Sequence, residues 1–281
     1  MIKAQFKGTR IVPKDAVLPE IGGLKDEFGK EALAEFNGRV EKDYANARAL
    51  QVLSYSDNVV KGSNPFAVVL MNSIVKEIGL RTATPADLEM ALNDGIDLGG
   101  VYSDSALVLR NLGEPNEYFA KNLDKQLKAK GKIKYPIMIP LTGFDLAKDS
   151  NSPYLLDFKL RGDAEIIDAD ILNSDGGRFS SEDVDLKTGL PKKLGNGGRT
   201  LFTKPNGLSR VYLYSHLFLY SEDSNLVKSD RFGLVHLAST KGAKATQNFQ
   251  AYLKNLEQAK AKEIAKIEKR YAKALNILKG K

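Results

Sequence analysis

The chain has no cysteine and no tryptophan, and its 281 residues include two histidines. Without thiols there are no disulfides, no thiolate metal sites and no cysteine nucleophile. His216 and His236 are the side chains whose unperturbed titration lies near neutrality. Both fall on expected strands, and no serine or acid stands out as a catalytic partner. Long apolar runs are also missing. The longest, Phe66 to Met71, has six residues, well short of the roughly 18 that suggest a membrane span. The opening Met1-Ile2-Lys3-Ala4-Gln5-Phe6-Lys7 lacks the apolar core of a signal peptide. A cytoplasmic location is expected.

Acidic residues are scarce in one segment. Lys241 to Lys281 carries eleven Lys/Arg and three Asp/Glu, a net of +8, whereas Met1 to Thr240 carries 31 and 32, a net of −1. An electrostatic partner is therefore expected at the C-terminal segment. Hydrophobic residues make up 42% of the chain, enough for a sizeable core.

Periodicity and turn residues point to an α+β protein. Its expected parts are a mainly helical 1–100, a mixed 101–172, a polar loop 173–200, an antiparallel 201–240 and a basic helix 241–281. Residues 1–240 can form one globular unit. Leu24, Phe28, Ala32, Phe36, Val40 and Tyr44 recur every four residues and predict a helix. Gly29 and Gly38 weaken it by about 1 kcal/mol each relative to Ala. Ser63-Asn64-Pro65 and Thr84-Pro85-Ala86-Asp87 are helix starts. The first predicts a buried helix from Phe66 to Ile78, with a strand over Phe66 to Met71 as the alternative.

Ala106 to Leu109, a helix over Asn116 to Lys130, and Ile133 to Leu141 form a candidate βαβ unit. Pro136 and Pro140 lack ladder donors, so its second strand is expected to lie at a sheet edge or to stay irregular. Tyr154 to Leu160 and Ala164 to Leu172 read as a hairpin joined at Arg161-Gly162-Asp163. Pro205-Asn206-Gly207 is the strongest hairpin signal, opening a meander that runs to Leu237.

Three groups of residues could carry function. In the C-terminal segment, Leu253, Ile264 and Leu275 are spaced by eleven, as are Leu256, Ile267 and Leu278. That period gives a long amphipathic helix with a nearly straight apolar stripe. Lys262, Lys266, Lys269 and Lys273 lie opposite it. Such lysines could neutralise nucleic-acid phosphates. They could equally keep a helix soluble while its apolar face packs on the body or a second copy.

The second group is aromatic. Tyr212, Tyr214, His216, Phe218 and Tyr220 fall at period two, sharing one face of an expected single strand. An aromatic sheet face can stack unpaired bases, or simply be buried. Nearby, Arg231 to Leu237 shares Phe, Gly and Val with the RNA-recognition octamer. It has Leu234 and Leu237 where aromatics would stack, so the match is taken as coincidence.

The third group is acidic. Asp168 and Asp170 are two apart on an expected strand, both carboxylates on one face. Oxygen ligands suit Mg²⁺ or Ca²⁺, yet the spacing matches no calcium loop, and solvated acids are the plainer reading. No cofactor is otherwise expected. The leading expectation is a non-enzymatic binding protein that contacts RNA, DNA or a ribonucleoprotein through the basic helix, joined by the aromatic strand. The rivals are an assembly protein that self-associates through that helix, and a metal-dependent hydrolase centred on Asp168 and Asp170.

Overall fold

The four-residue apolar spacing from Leu24 onward becomes helix α1, Asp26–Tyr44, in the computed structural model, which describes residues 21–98, 100–131, 133–173, 175–214 and 218–239. Ala32, Phe36 and Val40 form its buried face. Asn64 caps α2, Pro65–Lys76, by accepting from the Ala67 N–H at 2.8 Å. Phe66 to Met71 lies inside this helix rather than in the alternative strand. Thr84 and Asp87 form a reciprocal capping box at the start of α3, Pro85–Asn93. The fourth helix, α4, is Glu117–Lys128. Among the described residues no helix is long and apolar enough to cross a membrane.

The strands are short, and the chain is α+β. The first eight are β1 Gly22–Gly23, β2 Ser54–Ser56, β3 Val59–Lys61, β4 Leu80–Thr82, β5 Tyr102–Leu109, β6 Ile137–Pro140, β7 Phe144–Lys148 and β8 Leu156–Leu160. Then come β9 Ile167–Asp168, β10 Gly177–Phe179, β11 Val184–Asp185, β12 Leu190–Pro191, β13 Arg199–Phe202, β14 Leu208–Tyr214, β15 Phe218–Tyr220 and β16 His236–Ser239. The main sheet has the order β10-β13-β15-β14-β5-β6-β9. A smaller sheet has the order β1-β16-β4.

Both faces of the main sheet are used. Leu107, Leu109 and Leu208 pack with Phe66 of α2 and with Phe119 and Leu123 of α4. On the other face Val108, Val211, Leu213 and Leu219 pack with Leu88 of α3. The alternation of strand side chains divides one sheet between two cores.

Four expected pairings are corrected. β5 and β6 are antiparallel, so β5-α4-β6 is not a βαβ unit. Residues 129–136 can span about 26 Å when extended, enough to undo the roughly 18 Å travelled by α4 and return the chain to its starting end. β6 also lies inside the sheet, between β5 and β9. Its prolines bracket the strand: Pro136 precedes it and Pro140 ends it, so few ladder donors are lost. The hairpin at Arg161 to Asp163 does not form. β8 instead pairs with β7, and β9 with β6.

Pro205 to Gly207 joins no hairpin either, because β15 lies between β13 and β14 and runs parallel to β13. The turn is taken up by the segment before α4. The Gly207 N–H donates to the Asn111 side chain and its carbonyl accepts from the Arg110 N–H, each at 3.0 Å. A Cβ on Gly207, whose φ is +70°, would lie 2.4 Å from the Pro115 nitrogen. Arg110 fixes this junction from below. Its guanidinium donates to the Leu172 and Ser221 carbonyls and to the Ser209 and Thr203 hydroxyls. Burial lowers Arg110 to about 10, which leaves it protonated at neutral pH.

The segment 173–200 is not a structureless loop, since it holds β10, β11, β12 and the start of β13. Phe179, Val184 and Leu190 anchor it by burial. The meander likewise ends early, because β16 belongs to the smaller sheet.

Candidate functional site

A one-residue irregularity in β5 builds the site. β14 pairs with β5 from Leu208↔Leu109 to Tyr214↔Tyr102, with a register shift between Val211 and Tyr212. Val211 faces Ala106 while Tyr212 faces Asp104, so Ser105 is the extra residue. The Ser105 hydroxyl donates to the Val211 carbonyl at 3.3 Å. A one-residue offset exchanges the two faces of a strand. Asp104 and Tyr102 therefore fall on the face that carries Arg210, the face that α2 and α4 cover farther along.

Arg210 and Asp104 form a buried pair there, with side chains 1% and 0% exposed. The guanidinium Nε and Nη2 donate to the two carboxylate oxygens, each at 2.6 Å. Nη1 donates to the Lys228 and Asn225 carbonyls at 2.7 and 3.2 Å. The Ser63 hydroxyl donates to Asp104 at 2.7 Å. Burial pushes the Asp104 carboxyl up, opposed by the charge and hydrogen bonds of Arg210. Burial, the largest single influence, would lower Arg210, but the charge and hydrogen bonds of Asp104, with smaller contributions from Tyr102 and Asp223, together hold the guanidinium above its usual value. Each carboxylate oxygen accepts from the guanidinium, and this two-pronged contact keeps the pair ionised.

Beyond this pair the face is aromatic. Tyr212 and Tyr214 lie on β14, Phe218 and Tyr220 on β15, and the register is Tyr214↔Phe218 and Tyr212↔Tyr220. The single strand expected over these residues is thus two antiparallel strands. Directly paired residues share a face, so the four rings still emerge on one side. Phe202 of β13, opposite Tyr220, joins them. His216 lies outside the described residues.

The rings stand on edge. Tyr212 and Tyr220 are 5.0 Å apart at an interplanar angle of 11°, and Phe202 and Tyr220 are 4.8 Å apart at 15°. Parallel rings lying flat side by side would need more than about 6 Å between centroids to avoid carbon contacts below 3.5 Å. These must overlap face to face. The Arg210 guanidinium lies 5.0 Å from the Tyr212 centroid and 5.4 Å from that of Tyr102. Arg210, Tyr212, Tyr220 and Phe202 thus form a continuous row whose inner faces are engaged with one another. Tyr214 meets Tyr220 only edge-on, at 6.4 Å and 64°.

At the Arg210 end the row opens into a cavity of about 200 Å³. Buried Arg210 and Tyr102 line it together with the partly exposed Tyr212, Tyr214 and Tyr220. Asp223, Lys228, Asp230 and Phe232 complete the lining. Phe232 is 42% exposed, with the Arg231 guanidinium 4.8 Å from its centroid. The segment behind the cavity is tied down. Leu226 is fully buried, the Ser229 hydroxyl accepts from the Ser63 N–H, and the Asp230 N–H donates to the Tyr102 hydroxyl. Burial raises the Tyr102, Tyr212 and Tyr220 hydroxyls above their usual values, so all three remain protonated donors.

The other expected site residues do not assemble with this one. The apolar stripe Leu253, Leu256, Ile264, Ile267, Leu275 and Leu278 and the lysines Lys262, Lys266, Lys269 and Lys273 all lie outside the described residues. Asp168 ends β9 and Asp170 begins a 3-10 turn, so the alternation expected to place both carboxylates on one face stops between them. Asp170 is instead 3.6 Å from Lys134. Among the described residues no three His, Cys, Asp or Glu side chains gather as a metal site. His236 is buried on β16.

Sequence reasoning missed Tyr102, Asp104, Lys228, Asp230 and Phe232 as a group. Their one local signal is Arg210, a charge opening an otherwise apolar and aromatic run. The rest come together only through β5 and the segment after β15. No protein-family model, curated protein or solved structure matches the chain.

Proposed function

We propose that the protein is a binding protein rather than an enzyme, and that it holds single-stranded nucleic acid with one unpaired base in the cavity beside the aromatic row. The supporting observation is the cavity itself. It is about 200 Å³, lined by four tyrosines and a phenylalanine, and braced from within by a satisfied ion pair. That volume lies below the roughly 300–1,000 Å³ of pockets that take whole drug-sized ligands, and it suits one planar ring system. Tyr214 and Phe232 line it, and neither ring is part of a face-to-face pair. Tyr212 and Tyr220 offer edges and hydroxyls instead.

Backbone phosphates need cations, and the cavity supplies few. Lys228 shares the lining with Asp223 and Asp230, and the Arg231 guanidinium lies against Phe232. The +8 segment from Lys241 to Lys281 fits the remaining role. In the sequence that segment follows β16, which ends at Ser239.

Labelled RNA and DNA heptamers are titrated against the full chain and a 1–240 truncation at two salt concentrations. The full chain is expected to bind more tightly, with affinity falling as salt rises. Tyr214→Ala and Phe232→Ala are each expected to weaken binding about tenfold, the lower end of a lost base-stacking contact. No binding by the full chain at low salt, or no loss in either variant, counts against the proposal. A second reading rests on the half-exposed Tyr, Phe and Arg side chains, a composition found at protein–protein contacts. Light scattering tests it: a concentration-dependent dimer that Phe232→Ala dissolves would favour self-association.

A further inference from the structure

One wall of the cavity is not built from a strand. Residues 223–230, between β15 and β16 in the chain, bring Asp223, Lys228 and Asp230 to the lining. Local turns curve this segment. The Asp223 carboxylate accepts from the Asn225 N–H at 2.9 Å, and the Asn225 side chain accepts from the Val227 and Lys228 N–H groups. Such turns set a shape but not a place in the molecule. The place is set from outside. The carbonyls of Asp223, Ser224, Asn225, Val227 and Lys228 each accept from a donor beyond the segment. Those donors come from three residues: Arg210, Asn64 and Asn116.

Two of the three also serve elsewhere. Arg210 pairs with Asp104, and the Asn64 carbonyl oxygen caps α2. Asn116 is different. It holds the N-cap position of α4, yet its side chain makes no cap bond. An N-cap residue is ordinarily extended and accepts from a first-turn N–H. Asn116 is left-handed instead, with φ 65° and ψ 36°, a conformation that asparagine adopts more readily than most residues. Its Nδ2 donates to the Leu208 carbonyl of β14 and to the Ser224 carbonyl, each at 2.8 Å. One amide thus clamps the wall to the strand that carries Tyr212 and Tyr214.

We infer that Asn116 is a positioning residue of the cavity, holding the 223–230 wall against β14 through Ser224 without lining the cavity itself. It leaves α4 without a side-chain cap in doing so. Its effect on the wall stands alone, whereas its effect on ligand affinity rests on the nucleic-acid reading above. A wall that is already fixed need not be ordered when ligand arrives. Loosening it therefore weakens binding without removing any ligand contact.

Hydrogen exchange read by mass spectrometry on the full chain tests the wall with no ligand present. In the natural chain the amides of 225–230 are expected to exchange at least tenfold more slowly than in an unstructured peptide. Asn116→Gly keeps the left-handed backbone and loses the amide. Asn116→Asp keeps the size and loses both donated hydrogens. Each variant is expected to speed exchange over 225–230 at least tenfold, to leave β5 amides at their natural rate, and to bind a labelled RNA heptamer about tenfold more weakly. Natural exchange over 225–230 in both variants, or an unprotected wall in the natural chain, overturns the assignment. Equal speeding of β5 also overturns it, since Asn116 would then serve the fold as a whole. Loosening confined to the wall with unchanged heptamer affinity overturns the link to ligand. Loosening confined to the wall, with no heptamer bound by the natural chain at low salt, upholds the positioning role and overturns the nucleic-acid reading.

Discussion

Arg210 is the residue on which the site depends, and its environment makes a sharp prediction. Removing one partner of a buried ion pair leaves the other charge unpaired in a low-dielectric setting, at a cost of roughly 3–5 kcal/mol. Asp104→Asn and Arg210→Met are each expected to destabilise the protein by about that much in urea unfolding. Combining them is expected to cost clearly less than the sum, since neither then leaves an orphan charge. A second prediction concerns His236. Burial, aided by the charge of Lys25, holds its imidazole down at about 4, and its Nδ1 has no hydrogen-bond partner among the described residues. The unfolded chain takes up this proton near 6.5, before the native state does. Stability from His236 is therefore complete above about pH 6.5 and is lost as pH falls toward 4. The loss amounts to about 3 kcal/mol at most. Urea midpoints between pH 7 and 5.5 should fall for the natural chain and stay flatter for His236→Phe.

Among the elements, α1 separates two glycines that look alike in sequence. A Cβ on Gly29 would lie 2.5 Å from the Leu24 carbonyl oxygen, while nothing lies within 4 Å at Gly38. Gly38→Ala is expected to stabilise the protein by about 0.5–1 kcal/mol through helix propensity. Gly29→Ala is expected to destabilise it despite the same propensity gain. Thermal melts of the two variants give opposite shifts. The contrast also marks what local sequence could reveal. Helices were legible because their signals are local: the Asn64 and Thr84 caps, the prolines after them, and the spacing of Ala32, Phe36 and Val40. Strand partners were not, because tertiary contacts outcompeted turn chemistry. Pro205-Asn206-Gly207 is satisfied by Asn111, Arg110 and Pro115, so the turn need not bring its flanking strands together. β14 and β15 pair antiparallel, yet Ser215-His216-Leu217 in the sequence between them holds no Gly, Asn or Pro to announce that pairing. The shared face of Tyr212, Tyr214, Phe218 and Tyr220 was readable from their even spacing alone, even though the strand count was not.

For the whole molecule, the net positive charge and the aromatic cavity belong to different parts of the sequence. The body carries −1 and the last forty-one residues +8. A 1–240 truncation is therefore expected to lose most of the salt dependence of nucleic-acid binding while keeping whatever base preference the cavity has. Heptamer titrations at 50 and 200 mM salt on both chains check this. The main sheet is also ordered against the sequence, with β10 and β9 at opposite edges and β15 between β13 and β14. Long-range pairing of this kind slows folding. Within that sheet the extra residue at Ser105 has a further consequence. It acts as a phase slip along β5, dividing the strand into a hydrocarbon half that answers to α2 and α4 and a polar half that answers to the cavity. Deleting Ser105 would restore a single parity, and Asp104 and Tyr102 would turn away from Arg210 with no change in composition at the cavity. One inserted position thus sets the chemistry of the site, while the packing of the same strand is written in the residues beyond it.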